Sequence, residues 1–565
     1  MFTEIPLRRL VALIASGCLT ATTCATQTAT AQAAIAQTAT AQAATRVAGT
    51  QVGTVQARAV RTGRRSSVVR LDSGRIRGLD DGTVRTYAGI PFARPPVGAL
   101  RWKDPVRVAP WKGVADATRP GAQCPQTASG KRTGAEDCLY LNVTVPSRPS
   151  RGPRPVMVWL HGGGYITGGG DLYGARRLAD RGDVIVVTPN YRLGAFGYLS
   201  LPKLAGSGTF GLADQVEALR WVRRNAAAFG GDRDDVTLSG QSAGGMSTCA
   251  LLTSPALHGL AGKAIIQSGS CMLDWVSGTY VPIPGIPPIR PYSSLKDSEG
   301  TGLAAAEQLG CPEGKELACL RAKPVSELMK VNDSFASNLA YGTPLLPLDP
   351  ARALREGRFA RIPVMSGGNR NEASGFVAGV ARAGYPVTAE SYPKLIEEAF
   401  GEHADAVARE YPLSEYASPG QAWAALSTDR AWSCPTLAGD RAMAAGTTVY
   451  AYEFADEHAP DIGGATADFP LGAQHASELP YLFDLGGRPW SSLTAEQWRL
   501  AERMIDYWTS FARTGRPRAV GAPAWPAFTG RGGSVLSLRP DSQGGIGPAR
   551  YSEEHRCGFW DGLGG

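Results

Sequence analysis

The stretch "DDVTLSGQSAGGMSTCALL", residues 234–252, sets a serine among small residues where an apolar run gives way to a helix-like one. Within it, Gly240, Gln241, Ser242, Ala243 and Gly244 fit the pattern G-x-S-x-G, in which a strand bends abruptly into a helix and carries a serine hydroxyl at the tip. Glycine at both ends lets the backbone turn without a Cβ clash. An ordinary Gly/Ser turn fits the same five residues. The two readings part on whether the chain also supplies a base, an acid and donors for an oxyanion.

Outward from this bend, VMVWLHGGG (156–164) and DVIVVTPNYR (183–192) are near-continuous apolar runs, the pattern of strands buried on both faces. In 210–229, Leu212, Val216, Leu219, Trp221 and Val222 recur at helical spacing, and AIIQSG (264–269), RIPVMSG (361–367) and VYAYEFA (449–455) add strand candidates. Strands alternating with helices predict an α/β fold with a mostly parallel sheet covered on both sides. Such sheets carry their chemistry at the carboxyl ends of the strands. Residues 275–300, rich in Pro, Gly and aromatics, break the rhythm and read as an excursion over the site or as a plain surface loop. Together with 335–347 they are expected to line the pocket. GSGTFG (206–211) matches a dinucleotide fingerprint, but no apolar strand precedes it. No zinc-type Cys/His spacing occurs, so neither metal nor cofactor is expected.

The net charge of +8 is concentrated at the start of the chain, where residues 1–66 hold seven arginines and one glutamate. The nearly neutral remainder gives no reason to expect nucleic acid or an anionic membrane as partner. Arg8 and Arg9, a short apolar run and small residues up to Ala31 read as an export signal over 1–31, too short to span a bilayer. Cys18 admits the alternative of a lipid anchor. QTATAQAA occurs at 27–34 and again at 37–44, and residues 32–66 read as a low-complexity disordered tether before a domain spanning 67–565. Cysteines beyond Cys24 number eight, an even count that suits an exported, oxidised chain, with free thiols as the alternative. The spacings of Cys124 with Cys138 and of Cys311 with Cys319 are compatible with local disulfides. Spacing alone does not pair Cys249, Cys271, Cys434 and Cys557.

Serine acyl transfer needs a histidine base, and in α/β hydrolases the order is nucleophile, acid, histidine. That order excludes His161, and His258 follows Ser242 too closely, leaving His403, His458, His475 and His555. His161 instead opens HGGG after a strand, the form of an oxyanion-hole loop. Gly162, Gly163 and Gly164 allow close approach of backbone N–H groups, and the amide of Ala243 adds another donor. Glu372 follows the strand candidate 361–367, with Asp349 as its rival for the acid.

These blocks, with YAGIPFARPPVGALRW (87–102), EDCLYLNV (136–143), NYRLGAFGYLS (190–200), GNRNEAS (368–374) and QHASELPYLF (474–483), resemble the type-B carboxylesterase family over residues 67–560. The resemblance implies an α/β-hydrolase fold with long excursions over the active site. It makes Ser242 the nucleophile, Glu372 the acid and His475 the base, with Gly163, Gly164 and Ala243 as oxyanion donors. It also implies the pairs Cys124–Cys138, Cys311–Cys319 and Cys434–Cys557. The position of His475 rests on this block, since His458 lies closer to the strand candidate 449–455. The implied activity is hydrolysis of small-molecule carboxylic esters by a secreted enzyme, with a monomer favoured. Narrower ester hydrolases (lipase, feruloyl esterase, lactonase, polyester hydrolase) and a non-catalytic binding module on the same fold are the alternatives. The chain departs from the family pattern at Gln241, where Glu is common, and at Asn371 and Ala373. With no Trp between Cys124 and Cys138, these departures speak against choline esters.

Overall fold

The computed structural model describes residues 65–128, 130–336, 338–462, 467–486, 492–530 and 534–564. The predicted export signal, Cys18, Cys24 and the tether up to residue 64 lie outside the described residues. The tether's predicted end differs from the structure, because Arg65 and Ser66 already pair in the first strand.

One sheet organises the chain. Its strands are β1 (Arg65–Arg70), β2 (Arg75–Asp80), β3 (Val84–Pro91), β4 (Val114–Asp116), β5 (Tyr140–Pro146), β6 (Arg154–Leu160), β7 (Ile185–Pro189), β8 (Gly231–Gln241), β9 (Lys263–Gln267), β10 (Val364–Asn369), β11 (Val449–Phe454), β12 (Val535–Leu538) and β13 (Gly547–Pro548). They lie in the order β1-β2-β3-β5-β7-β6-β8-β9-β10-β11-β12-β13, with β4 beside β2. Every pairing from β7 to β12 is parallel, whereas those along β1-β2-β3-β5-β7 and the last hairpin are antiparallel, and β4 runs parallel to β2. The main helices are α1 (Phe210–Asn225), α2 (Ala243–Leu252), α3 (Ser374–Arg382), α4 (Pro419–Thr428), α5 (Cys434–Ala444) and α6 (Ala495–Thr514). This is the α/β-hydrolase fold.

The period of two along β6 shows why the apolar runs are continuous. Val156, Val158 and Leu160 enter one core, which α1 and α2 cover, while Met157 and Trp159 enter a second core under α6. Strand β11 divides likewise, with Val449 and Ala451 on one side and Tyr450, Tyr452 and Phe454 on the other. Helix α6 begins at a capping box between Thr494 and Gln497 and stops at Gly515, whose φ of 70° only glycine adopts without strain.

Helix α1 carries polar residues inward for a reason that its apolar spacing does not reveal. Asp214 is fully buried and accepts from Nε and Nη2 of Arg192, both at 2.8 Å, and from the Arg192 amide at 3.0 Å. Removing one partner strands the other charge in the core. Asp214→Ala is therefore expected to lower unfolding free energy by about 3–5 kcal/mol, read by urea denaturation.

Among the described residues four disulfides join Cys124–Cys138, Cys249–Cys271, Cys311–Cys319 and Cys434–Cys557. Among the described residues no helix is long and apolar enough to cross a membrane.

Candidate active site

The bend at Ser242 is forced by backbone crowding. A Cβ at Gly240 would lie 2.4 Å from the carbonyl carbon of Gly244, and one at Gly244 would lie 2.0 Å from the Leu160 oxygen. Strand and helix can meet so closely only without those side chains. Ser242 itself sits at φ 56°, ψ −125°, a strained conformation held by its amide on Gln267 O (2.9 Å) and by Met246 N on its own carbonyl (2.8 Å). Its side chain thus stands at the carboxyl end of β8, at the head of α2, with Ala243 as the first helical residue.

Opposite this bend runs the glycine loop after β6. Gly163 (φ 111°) and Gly164 (φ 59°) take conformations that favour glycine, and the amides of Ile166 and Thr167 both close the turn on Gly163 O at 3.0 Å. A Cβ at Gly162 would come within 3.1 Å of the Ser242 Cβ. His161 anchors the loop from behind. It is fully buried, stacked on Tyr191 with ring centroids 4.2 Å apart, and its carbonyl accepts the Tyr191 hydroxyl at 2.6 Å. Burial pulls its pKa down to about 4, so it stays neutral at physiological pH.

His475 lines the same pocket as Ser242, Gly163 and Gly164, and Glu372 meets its ring from behind. The Nδ1–H of His475 donates to Glu372 Oε2 at 2.6 Å, and the other carboxylate oxygen accepts the Asn369 amide at 2.8 Å. Both side chains are buried. Asn369 is clamped in turn by Gln474 O (2.6 Å) and by Glu478 Oε2 (2.7 Å), so the end of β10 and the segment bearing His475 are fastened together.

The remaining histidines stand elsewhere. His258, His403 and His458 are exposed, His458 beside a surface groove with Glu496 and Gln543. Asp349, the rival acid, caps a short helix by accepting from Arg352 N at 2.8 Å. His555 is buried between two carboxylates, Nδ1 at 2.6 Å from Asp429 and Nε2 at 2.6 Å from Glu453. Burial works against its charge, yet the two carboxylates outweigh burial and push its pKa up to about 10. An unfolded histidine titrates near 6.5, so the clamp's stabilisation is fully present below about pH 6.5 and drains as pH climbs through 10. A melting temperature that falls over that window, and falls less in His555→Gln, is the expected result.

Two features of the site escape the sequence reading. First, the amide of Gln241 donates to Nε2 of His475 at 3.2 Å, and Ser242 Oγ makes no hydrogen bond to that nitrogen in this arrangement. Second, Trp432 and Phe376 flank the imidazole at 4.9 and 5.1 Å between centroids and stack on each other at an interplanar angle of 7°. Trp432 reaches it from a π-helical turn, Asp429–Ser433, inserted between α4 and α5. As expected of the 275–300 excursion, its Tyr280 lines the pocket, which encloses only about 20 Å³. Among the described residues of 335–347 none lines it; Tyr341 belongs to a separate cavity. That corrects the expectation for this segment, whose apolar content serves other walls.

The Gln241 contact makes a measurable prediction. A carboxylate in its place favours a charged imidazole, so in Gln241→Glu the acid limb of the kcat/KM profile is expected to move about 1–3 units towards higher pH.

A model described as the carboxylesterase family matches residues 65–560. The chain is 35% identical over 488 residues to a para-nitrobenzyl esterase of Bacillus subtilis (strain 168), covering 82% of this chain and 92% of that one. It is 32% identical over 517 residues to a cocaine esterase of Homo sapiens (86% and 88% covered) and 34% identical over 494 residues to a fumonisin B1 esterase of Sphingopyxis macrogoltabida (81% and 84%). A solved PNB esterase structure superposes with a TM-score of 0.70 at 32% identity, over 87% of this chain and 99% of that one.

Proposed function

The chain belongs to the carboxylesterase family and is a carboxylic ester hydrolase; from that premise we propose that it works through Ser242, His475 and Glu372 by way of an acyl-enzyme. The observation that carries this reading is His475, 2.6 Å from Glu372, lining one pocket with a serine on a strained bend. As an ester seats, the Gln241 amide yields Nε2 of His475 to the Ser242 hydroxyl. His475 takes that proton while Oγ attacks the carbonyl carbon. Glu372 holds the proton on Nδ1 and stabilises the imidazolium that forms. The amides of Gly163, Gly164 and Ala243 receive the oxyanion, aided by the amino end of α2. His475 then gives its proton to the leaving alcohol, and water repeats the sequence on the acyl group.

The substrate class is small-molecule esters. The close pocket walled by Tyr173, Tyr280 and Phe376 supports a short or flat acyl group, and the relatives named for para-nitrobenzyl, cocaine and fumonisin B1 esters support breadth of substrate. A non-catalytic binding role is disfavoured by the presence of all three side chains. Export through the signal at 1–31 completes the proposal, supported by four disulfides, which persist in oxidising compartments. Diethyl p-nitrophenyl phosphate tests the nucleophile directly. A single diethylphosphoryl adduct on the peptide bearing Ser242, rising in step with lost activity, is expected. Inactivation with the adduct on any other residue would sink the assignment.

A further inference from the structure

The pocket above Ser242 is small, but a cavity of about 1000 Å³ lies on another side of the π-helical turn that carries Trp432. Leu273, Tyr292, Tyr341, Ala438 and Trp560 give it apolar and aromatic walls. Arg430, two residues before Trp432 in the turn, opens onto it. The Arg430 side chain is only 16% exposed, and its nearest carboxylate, Asp274, stands 3.9 Å away. That carboxylate's other oxygen is already held by Arg290 at 3.1 Å. Arg430 donates no hydrogen bond among the described residues, although a guanidinium carries five N–H donors, so these are available to a ligand in the cavity. Burial accordingly draws its pKa down, only partly offset by Asp274.

Arg355 faces the same cavity and has no ion pair among the described residues; its Nη1 rests on Met272 Sδ at 3.5 Å. The other arginines there are engaged. Arg352 pairs with Glu356 and Arg441 with Asp561, while Asp349 and Asp297 accept from Arg352 N and the Ser294 hydroxyl. Two guanidiniums without a hydrogen-bonded carboxylate are therefore left facing a chamber walled in part by aromatic rings, and planar forks of this kind match a carboxylate with two parallel hydrogen bonds.

We propose that this cavity is a second ligand site, separate from the catalytic pocket, which takes a free carboxylic acid anion with an aromatic or acyl body. Arg430 grips the carboxylate, Arg355 adds a second positive charge, and the body lies against Tyr292, Tyr341 and Trp560. No bond is made or broken there.

Benzoate, titrated calorimetrically into the full chain, tests this. Saturable binding with a Kd of about 1 mM or tighter is expected, with benzyl alcohol, which has the same ring without the charge, at least about tenfold weaker. Arg430→Gln should weaken benzoate about tenfold or more while p-nitrophenyl ester turnover reports that the protein is folded. Arg355→Gln, at an exposed position, should weaken it about threefold and carries the test if Arg430→Gln does not fold. Benzoate binding equal in parent and variants, equal binding of benzyl alcohol, or no saturable binding would each overturn the site. These readouts do not involve Ser242, and benzoate should bind Ser242→Ala as it binds the parent.

Discussion

Replacing Ser242 with alanine is expected to lower the rate of p-nitrophenyl ester hydrolysis about a million-fold. The size of the loss follows from what the substitution leaves in place. Both hydrogen bonds that hold residue 242 in its strained conformation are made by backbone, from its amide to Gln267 O and from Met246 N to its carbonyl, and alanine keeps them. The glycine contacts that force the bend do not involve the hydroxyl. Thermal unfolding should therefore be nearly unaltered while the attacking oxygen is gone. The residue of catalysis, about 10³–10⁴ over water, is the share that oxyanion donors and binding supply without a nucleophile. Near-full activity in this variant would end the assignment of the nucleophile.

Glu372→Gln is expected to reduce kcat about 10⁴-fold with a much smaller change in KM. The carboxylate accepts from two donors, the Nδ1–H of His475 and the Asn369 amide. A glutamine of the same shape offers one acceptor and one N–H₂. Whichever way it turns, one of those donors meets another donor, and the simplest relief moves the imidazole proton to Nε2, where it faces the attacking hydroxyl. The base is then blocked by its own proton, and the imidazolium loses the negative charge beside it. A loss of tenfold or less would show that Glu372 orients nothing essential.

Much of the fold is readable in residues 156–164 and 183–192 because strands buried on both faces must be apolar at every position, and no amphipathic surface helix has that need. The bend at Ser242 and the glycine loop are readable because only glycine fits where backbones nearly touch. Legibility fades where a partner is distant in the chain. Gln241 meets His475 across 234 positions and His555 meets Asp429 across 126, and nothing local to any of them announces the contact. Asp214 hides within a helix whose apolar spacing gives its buried side correctly but gives no hint of the arginine it answers. Between His458 and His475, local pattern favours the wrong neighbourhood. His458 is nearer in sequence to β11, while His475 returns to the site only because the segment bearing it is fastened to Asn369. Aromatic content in 335–347 signals burial correctly but not which chamber is lined.

The contact between Gly240 and Gly244 has an evolutionary corollary. Positions 241 and 243 already carry a Cβ, so the steric demand falls on the two glycines, where even a methyl group must push strand and helix apart. The five-letter signature is thus a fossil imprint of steric fit rather than of reactivity. A descendant that discarded hydrolysis altogether would still be obliged to keep both glycines.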